Sequence, residues 1–153
     1  FSQCQMEILS ILSGTSSVEE ARRMIPECVN IFLKYAQAIG THRIALEDLV
    51  FTRRLSKKPE AYTNKTLESS VGRQWIQQGA ELHAGQTIKY IITDYARRRA
   101  VAIELFDREK GYDSKRYIEL LADVCSSVLE PFDYRCNQEH LMRIFTTSKF
   151  SFN

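Results

Sequence analysis

The chain has 153 residues, 44% apolar and 26% charged, with a formal net charge of +2. That is enough length and apolar content to bury a core without disulfide or metal staples, and it excludes collagen-like, low-complexity and strongly disordered classes. No apolar run approaches the roughly 18 residues of a membrane-spanning helix. The opening FSQCQMEILSILSG has no basic n-region and carries Glu7 inside its apolar stretch, which makes it a poor signal peptide. The sequence starts at Phe1 rather than Met, and the expectation is a processed chain or an excised fragment.

Met6, Ile8, Leu9, Ile11 and Leu12 have helical spacing and stop at Gly14. Thr15-Ser16-Ser17 followed by Glu19 and Glu20 is a capping signature, with carboxylates at the positive end of the helix that follows. In that helix Val18, Ala21, Ile25, Cys28, Phe32, Tyr35 and Ile39 alternate steps of three and four, Pro26 predicts a kink, and Gly40 is a natural C-cap. Such a heptad face packs inside a bundle or pairs with another helix. Residues 45–49 predict one helical turn, Val50-Phe51-Thr52 is extended, and RRLSKKPEAYTNK reads as a basic loop.

Thr66 to Gln78 predicts a third helix with Val71 and Trp75 on its inner face and Gly79 just past its end. TIKYII at 87–92 is β-branched and aromatic enough for a strand, and residues 97–105 return as its partner after a turn near Asp94. A fourth helix spans Asp113 to Glu130, with Tyr117, Leu120, Leu121, Val124 and Val128 inward, and Pro131 ends it. Residues 137–146 make a last short helix before a tail. The fold class is mainly α with a small β-hairpin, and no internal repeat is visible.

Cys4, Cys28, Cys125 and Cys136 form no CxxC, the scatter expected of buried thiols. Cys136 and His140 could share a helical face, but no second pair completes a zinc site. The six glycines build neither GxGxxG nor a P-loop. Residues 107–112, DREKGY, depart from a calcium loop in the place of the glycine and in two intruding cations. No spaced Ser, His and acid triad and no DxD carboxylate pair occurs, so no active site is expected within the chain, and no cofactor.

Charge is uneven. Residues 43–99 hold eleven basic and six acidic residues, whereas the segments on either side are net acidic. Arg53, Arg54, Lys57, Lys58 and Lys65 lie close together around Pro59 and Tyr62, and Arg97-Arg98-Arg99 forms a second cluster. Such groups on a loop suit phosphate contact, which neutralises charge and releases counterions without reading bases. A solvated loop has the same composition, and both readings stay open on the residues alone.

In order and spacing, three segments resemble family B DNA polymerases: ALEDLVFTRRLSKKPEAYTNK, GRQWIQQGAELHAGQTIKYIITD, and RRAVAIELFDREKGYDSKRYIELLADVCSSVLEPFDY. The specific parts are Leu-Val-x-x-x-Arg-Leu-Ser-Lys from Leu49, Gly79 and Gly85 followed by Ile88 and Tyr90, and Tyr112-Asp113 followed by Tyr117-Ile118-Glu119. EILSILSGTSSVEEARRMIPECVNIFLKYAQAIG is similar to the helical pair that opens the thumb of that family. The spellings favour the archaeal branch.

The resemblance implies a thumb-like domain over residues 1–135, with 136–153 as a short helix and tail. It implies a fragment that holds duplex primer–template DNA by its backbone, beside the palm and other domains of a parent nucleotidyltransferase. Magnesium would sit in that palm, not here. The implied DNA-contacting residues are Arg53, Arg54, Lys57, Lys58, Lys65, Arg73 and Arg99, where Arg73 matches a basic position on the third helix and Arg99 the arginine of the family's Asp-Arg-Ala. The implied location is cytoplasmic, at the nucleoid, with no membrane. Departures mark a divergent paralogue: Leu67-Glu68 replaces a Pro-His pair that contacts phosphate, so that Glu68 would repel DNA; Arg116 replaces a tyrosine; Leu120-Leu121 replaces Asn-Gln; and the loop from Ile92 to Arg99 is short. The alternatives from other classes are a helical protein-interaction module and a small subunit docking on a separately encoded polymerase chain.

Overall fold

A computed structural model describes residues 1–132 and residue 143. The expected helix at 137–146, the tail, Cys136 and His140 lie outside the described residues. The described chain is mostly helical with one small antiparallel sheet, and it divides into two compact units, residues 1–44 with 117–132, and residues 45–116. No described helix is long and apolar enough to cross a membrane.

The first unit holds α1 (Ser2–Ser13), α2 (Val18–Arg23), α3 (Ile25–Gly40) and most of α5 (Ser114–Leu129). Ser17 caps α2, its Oγ accepting from the Glu20 N–H at 3.1 Å. The long second helix expected from the heptad is two helices. Met24 ends α2 and starts α3, which places Pro26 in the first turn of α3. There its missing N–H costs nothing, whereas inside a continuous helix its ring would strike the carbonyl of Arg22. Gly40 is not the cap either: it stays helical, Thr41 caps, and His42 takes the left-handed turn at φ 58°.

Cys4, Ile8 and Leu12 of α1 are buried with Ala21, Ile25, Cys28, Phe32 and Ile39, while Val18, Met6 and Leu9 of the expected apolar sets are exposed. The three described cysteines, Cys4, Cys28 and Cys125, are buried. In α5 the buried stripe is Tyr117, Ile118, Leu121, Ala122, Cys125 and Leu129, so the inner face is rotated from the expected one and Leu120, Val124 and Val128 are only half-buried. Across the unit Tyr35 donates to Glu7 at 2.9 Å, and the rings of Phe1 and Tyr117 meet edge to face.

The second unit is a three-stranded sheet in the order β1-β2-β3, with α4 (Leu67–Gln77) beside it. Its strands are β1 (Phe51–Arg54), β2 (Thr87–Asp94) and β3 (Arg99–Ala102). The expected hairpin is β2 and β3, and β1 adds a third strand by pairing Phe51 with Tyr90 through Arg54 with Thr87. Residues Leu46–Leu49 form the expected short turn of helix. Thr66 caps α4 in a reciprocal box with Ser69, and Gly79 follows it at φ 88°. Val71 is buried, but Trp75 is only half-buried. It lies in the last turn of α4.

The edge of β3 is closed by a side chain. Gln74 of α4 donates from Nε2 to the Ala100 carbonyl at 2.6 Å and accepts from the Ala102 N–H at 3.2 Å. Its amide thus copies a neighbouring strand and satisfies an edge that would otherwise offer unpaired backbone groups.

Candidate nucleic-acid interface

All seven basic residues singled out in the sequence fall in the second unit, and all are exposed. That unit has 14 basic and 10 acidic residues, a net charge of +4, against −2 for the rest of the chain. Among the described residues no ion pair engages Lys57, Lys58, Lys65, Arg73 or Arg99.

The basic stretch is not one loop. Arg53 and Arg54 end β1, and successive strand residues face opposite sides of a sheet. The register puts Phe51, Arg53, Ile88, Tyr90 and Ala102 on one face and Thr52, Arg54, Thr87 and Lys89 on the other. On the first face the Phe51 and Tyr90 rings stack with centroids 5.9 Å apart, and the Arg53 guanidinium lies over Phe51 at 5.6 Å. The buried Tyr90 hydroxyl donates to Glu68 Oε1 at 3.2 Å. Burial, and then the Glu68 carboxylate, push the Tyr90 phenol above its ordinary range, with Arg53 working weakly the other way. Glu68, expected only as a repelling charge, is therefore part of the packing that holds Tyr90.

After β1 the chain turns tightly. Leu55 is buried, its N–H donating to the Gln86 carbonyl at 2.8 Å and its carbonyl accepting from the Gly85 N–H at 2.7 Å. Lys57 sits over the Tyr62 ring at 4.9 Å, and the Tyr62 hydroxyl accepts from the Ser56 N–H at 3.3 Å. Pro59 is buried in a short 3-10 turn, Pro59–Ala61. The segment bearing Lys57 and Lys58 is thereby anchored at both ends while its ammonium groups remain exposed. Lys65 immediately precedes the Thr66 cap, and Arg73 lies on the solvent side of α4.

The second cluster is a turn built on Asp94 and Asp113. Arg97 pairs with Asp94 at 3.6 Å, and Arg98 turns the chain at φ 54°. The Tyr95 ring takes two guanidinium groups, Arg98 at 4.6 Å and Arg116 at 3.8 Å from its centroid. Asp113 accepts from the N–H groups of Tyr95 at 2.8 Å and Arg116 at 3.1 Å. In this cluster Arg99, at the start of β3, has no ion pair or ring contact among the described residues. Lys89 is not among the residues the sequence singles out: the alternation of Thr87-Ile88-Lys89-Tyr90 puts it on the polar face of its strand, and the pairing of β1 with β2 brings it beside Arg54.

The family model of DNA polymerase family B matches residues 1–132. Among solved structures, the family B DNA polymerase from the hyperthermophilic archaeon Pyrobaculum calidifontis superposes with a TM-score of 0.66 at 20% sequence identity. The match covers 84% of this chain and 17% of that one, so the chain spans about a sixth of that polymerase. No curated protein matches in sequence. With 132 of its 153 residues inside the family's pattern, the chain belongs to DNA polymerase family B.

Proposed function

We propose that the chain is the thumb of an archaeal-type family B polymerase and that it holds primer–template duplex by its phosphates. The observation that carries this reading is the gathering of every unpaired candidate cation on one compact unit of net charge +4. Contacts of this kind position a duplex without reading its sequence. Of the seven cations singled out in the sequence, Arg54, Lys57, Lys58, Lys65, Arg73 and Arg99 are the candidate contacts, whereas Arg53 is laid over the Phe51 ring beside the Tyr90–Glu68 pair; the palm and other domains of the parent polymerase are the protein partners, in the cytoplasm at the nucleoid.

Nucleotidyl transfer would belong to the parent enzyme, with magnesium held in its palm. Among the described residues no three His, Cys, Asp or Glu side chains cluster, and no step through magnesium is assigned to this chain. Fluorescence anisotropy of labelled duplexes across a salt series tests the binding. With about 3 to 5 phosphates engaged, log K should fall against log salt with a slope near −3 to −5, and the dissociation constant should be about 10⁻⁴ to 10⁻⁶ M at physiological salt. Duplexes of unrelated sequence should bind alike. No retention at low salt, or strong discrimination between sequences, would overturn the reading.

A further inference from the structure

We propose that Lys89 and Arg54, with the hydroxyls of Thr52 and Thr87, form a single phosphodiester-binding face on the sheet of the second unit, and that Arg53 lies outside it. The proposal rests on the duplex-binding reading and assigns the contact within it. The register pairs Thr52 with Lys89 and Arg54 with Thr87. Directly opposed residues lie on the same face about 5 Å apart at Cβ, and diagonal ones about 7 to 8 Å apart. The four side chains therefore make a two-by-two patch with the cations on one diagonal and the hydroxyls on the other. All four residues are exposed.

Two observations favour an anion there. First, two cations on the diagonal of one sheet face repel weakly through solvent, and no described carboxylate pairs with either Arg54 or Lys89. An incoming phosphate relieves that repulsion, and the hydroxyls supply further donors. Second, Arg54 is already held: its Nε donates to the Gly85 carbonyl at 3.1 Å, which fixes the plane of the guanidinium and leaves its terminal nitrogens unbonded by described residues. Arg53 is in the opposite situation. It lies over Phe51 on the other face, beside a Tyr90 hydroxyl already bonded to the Glu68 carboxylate, so a negative charge that would repel a phosphate is already close to it.

The test is duplex binding by the full 153-residue chain across a salt series, comparing Lys89→Ala, Arg54→Ala and Arg53→Ala, with thermal melts to establish folding. Lys89→Ala and Arg54→Ala should each flatten the salt slope by about one unit, and the double variant by about two, near one per lost phosphate contact. Arg53→Ala should leave the slope at the parent value, and Lys89→Arg should restore it. If Lys89→Ala does not fold, Lys89→Gln keeps the stem and carries the comparison. A parent that binds duplex while Lys89→Ala keeps the parent slope, or an Arg53→Ala loss equal to that of Arg54→Ala, overturns this assignment and leaves the duplex-binding reading standing. A parent that retains no duplex overturns both.

Discussion

Pro59 rests on Gly72. A Cβ at residue 72 would meet the proline ring at 2.6 Å from Cγ and 2.9 Å from Cβ. A proline ring has no flexible end to swing away, so the glycine is what lets the turn carrying Lys57 and Lys58 dock on α4. Gly72→Ala gains about 1 kcal/mol of helix propensity and incurs an overpacking cost of about 1 to 3 kcal/mol. The expected result is a net loss of up to about 2 kcal/mol in urea unfolding. A rise in midpoint, as propensity alone would give, would show that the ring does not sit there.

Phe32 is wholly buried, as are Cys28 and Ile39 on the same face of α3. Phe32→Ala should cost about 3 to 5 kcal/mol, read as a large drop in the denaturant midpoint at unchanged m-value. An unchanged midpoint would mean the face is free to meet another protein, which is what the interaction-module alternative requires.

Alkaline stability should report Tyr90. Its phenol titrates in the folded protein above the ordinary value near 10, from burial first and Glu68 second. Between those two values the unfolded chain has already lost the proton that the folded chain keeps. The unfolded state then binds fewer protons, and stability falls as pH rises. The contribution is complete below pH 10 and declines through the window above it, at no more than about 1.4 kcal/mol per pH unit for one group. Tyr112, also raised by burial, acts in the same sense. Tyr90→Phe should therefore flatten the fall in stability above pH 10 without abolishing it, whatever it does to stability at neutral pH. Parallel pH profiles for parent and variant would contradict this.

Periodicity and capping made most of the helices legible. Thr66, Ser17 and Gly79 each carry a local signal that tertiary packing did not override. Pro26 was misread because a kink and a fresh N-terminus look alike in sequence; the difference lies in whether Met24 leaves helical hydrogen bonding. The phase of α5 depends on its packing partners, and no local pattern fixes it when Leu120, Val124 and Val128 are as apolar as the stripe that won. For the candidate interface the limit was sharper. Arg53 and Arg54 are adjacent in sequence and look equivalent, but four residues of strand put them on opposite faces. Lys89 lies 35 positions beyond Arg54 and becomes its neighbour only through the β1–β2 register.

Asp113 in the Tyr-Asp pair of the family-like segment has a structural task that spacing alone did not show. One carboxylate oxygen accepts from the Arg116 N–H at the start of α5, and the other from the Tyr95 N–H in the arginine turn. It thus caps the helix and ties it to the turn whose Tyr95 ring takes Arg98 and Arg116. Asp113→Ala removes both acceptors. A lost cap costs about 0.5 to 2 kcal/mol, and a part-buried N–H left unsatisfied adds about 1 kcal/mol, so about 1.5 to 3 kcal/mol is expected. Asp113→Asn keeps one acceptor oxygen and should lose about half as much, because its amide nitrogen cannot accept from the second N–H. Thermal or urea unfolding of the two variants beside the parent gives the order directly. Equal losses for Asn and Ala would mean that charge alone matters at this position, and no loss in either would mean that the two hydrogen bonds do not form.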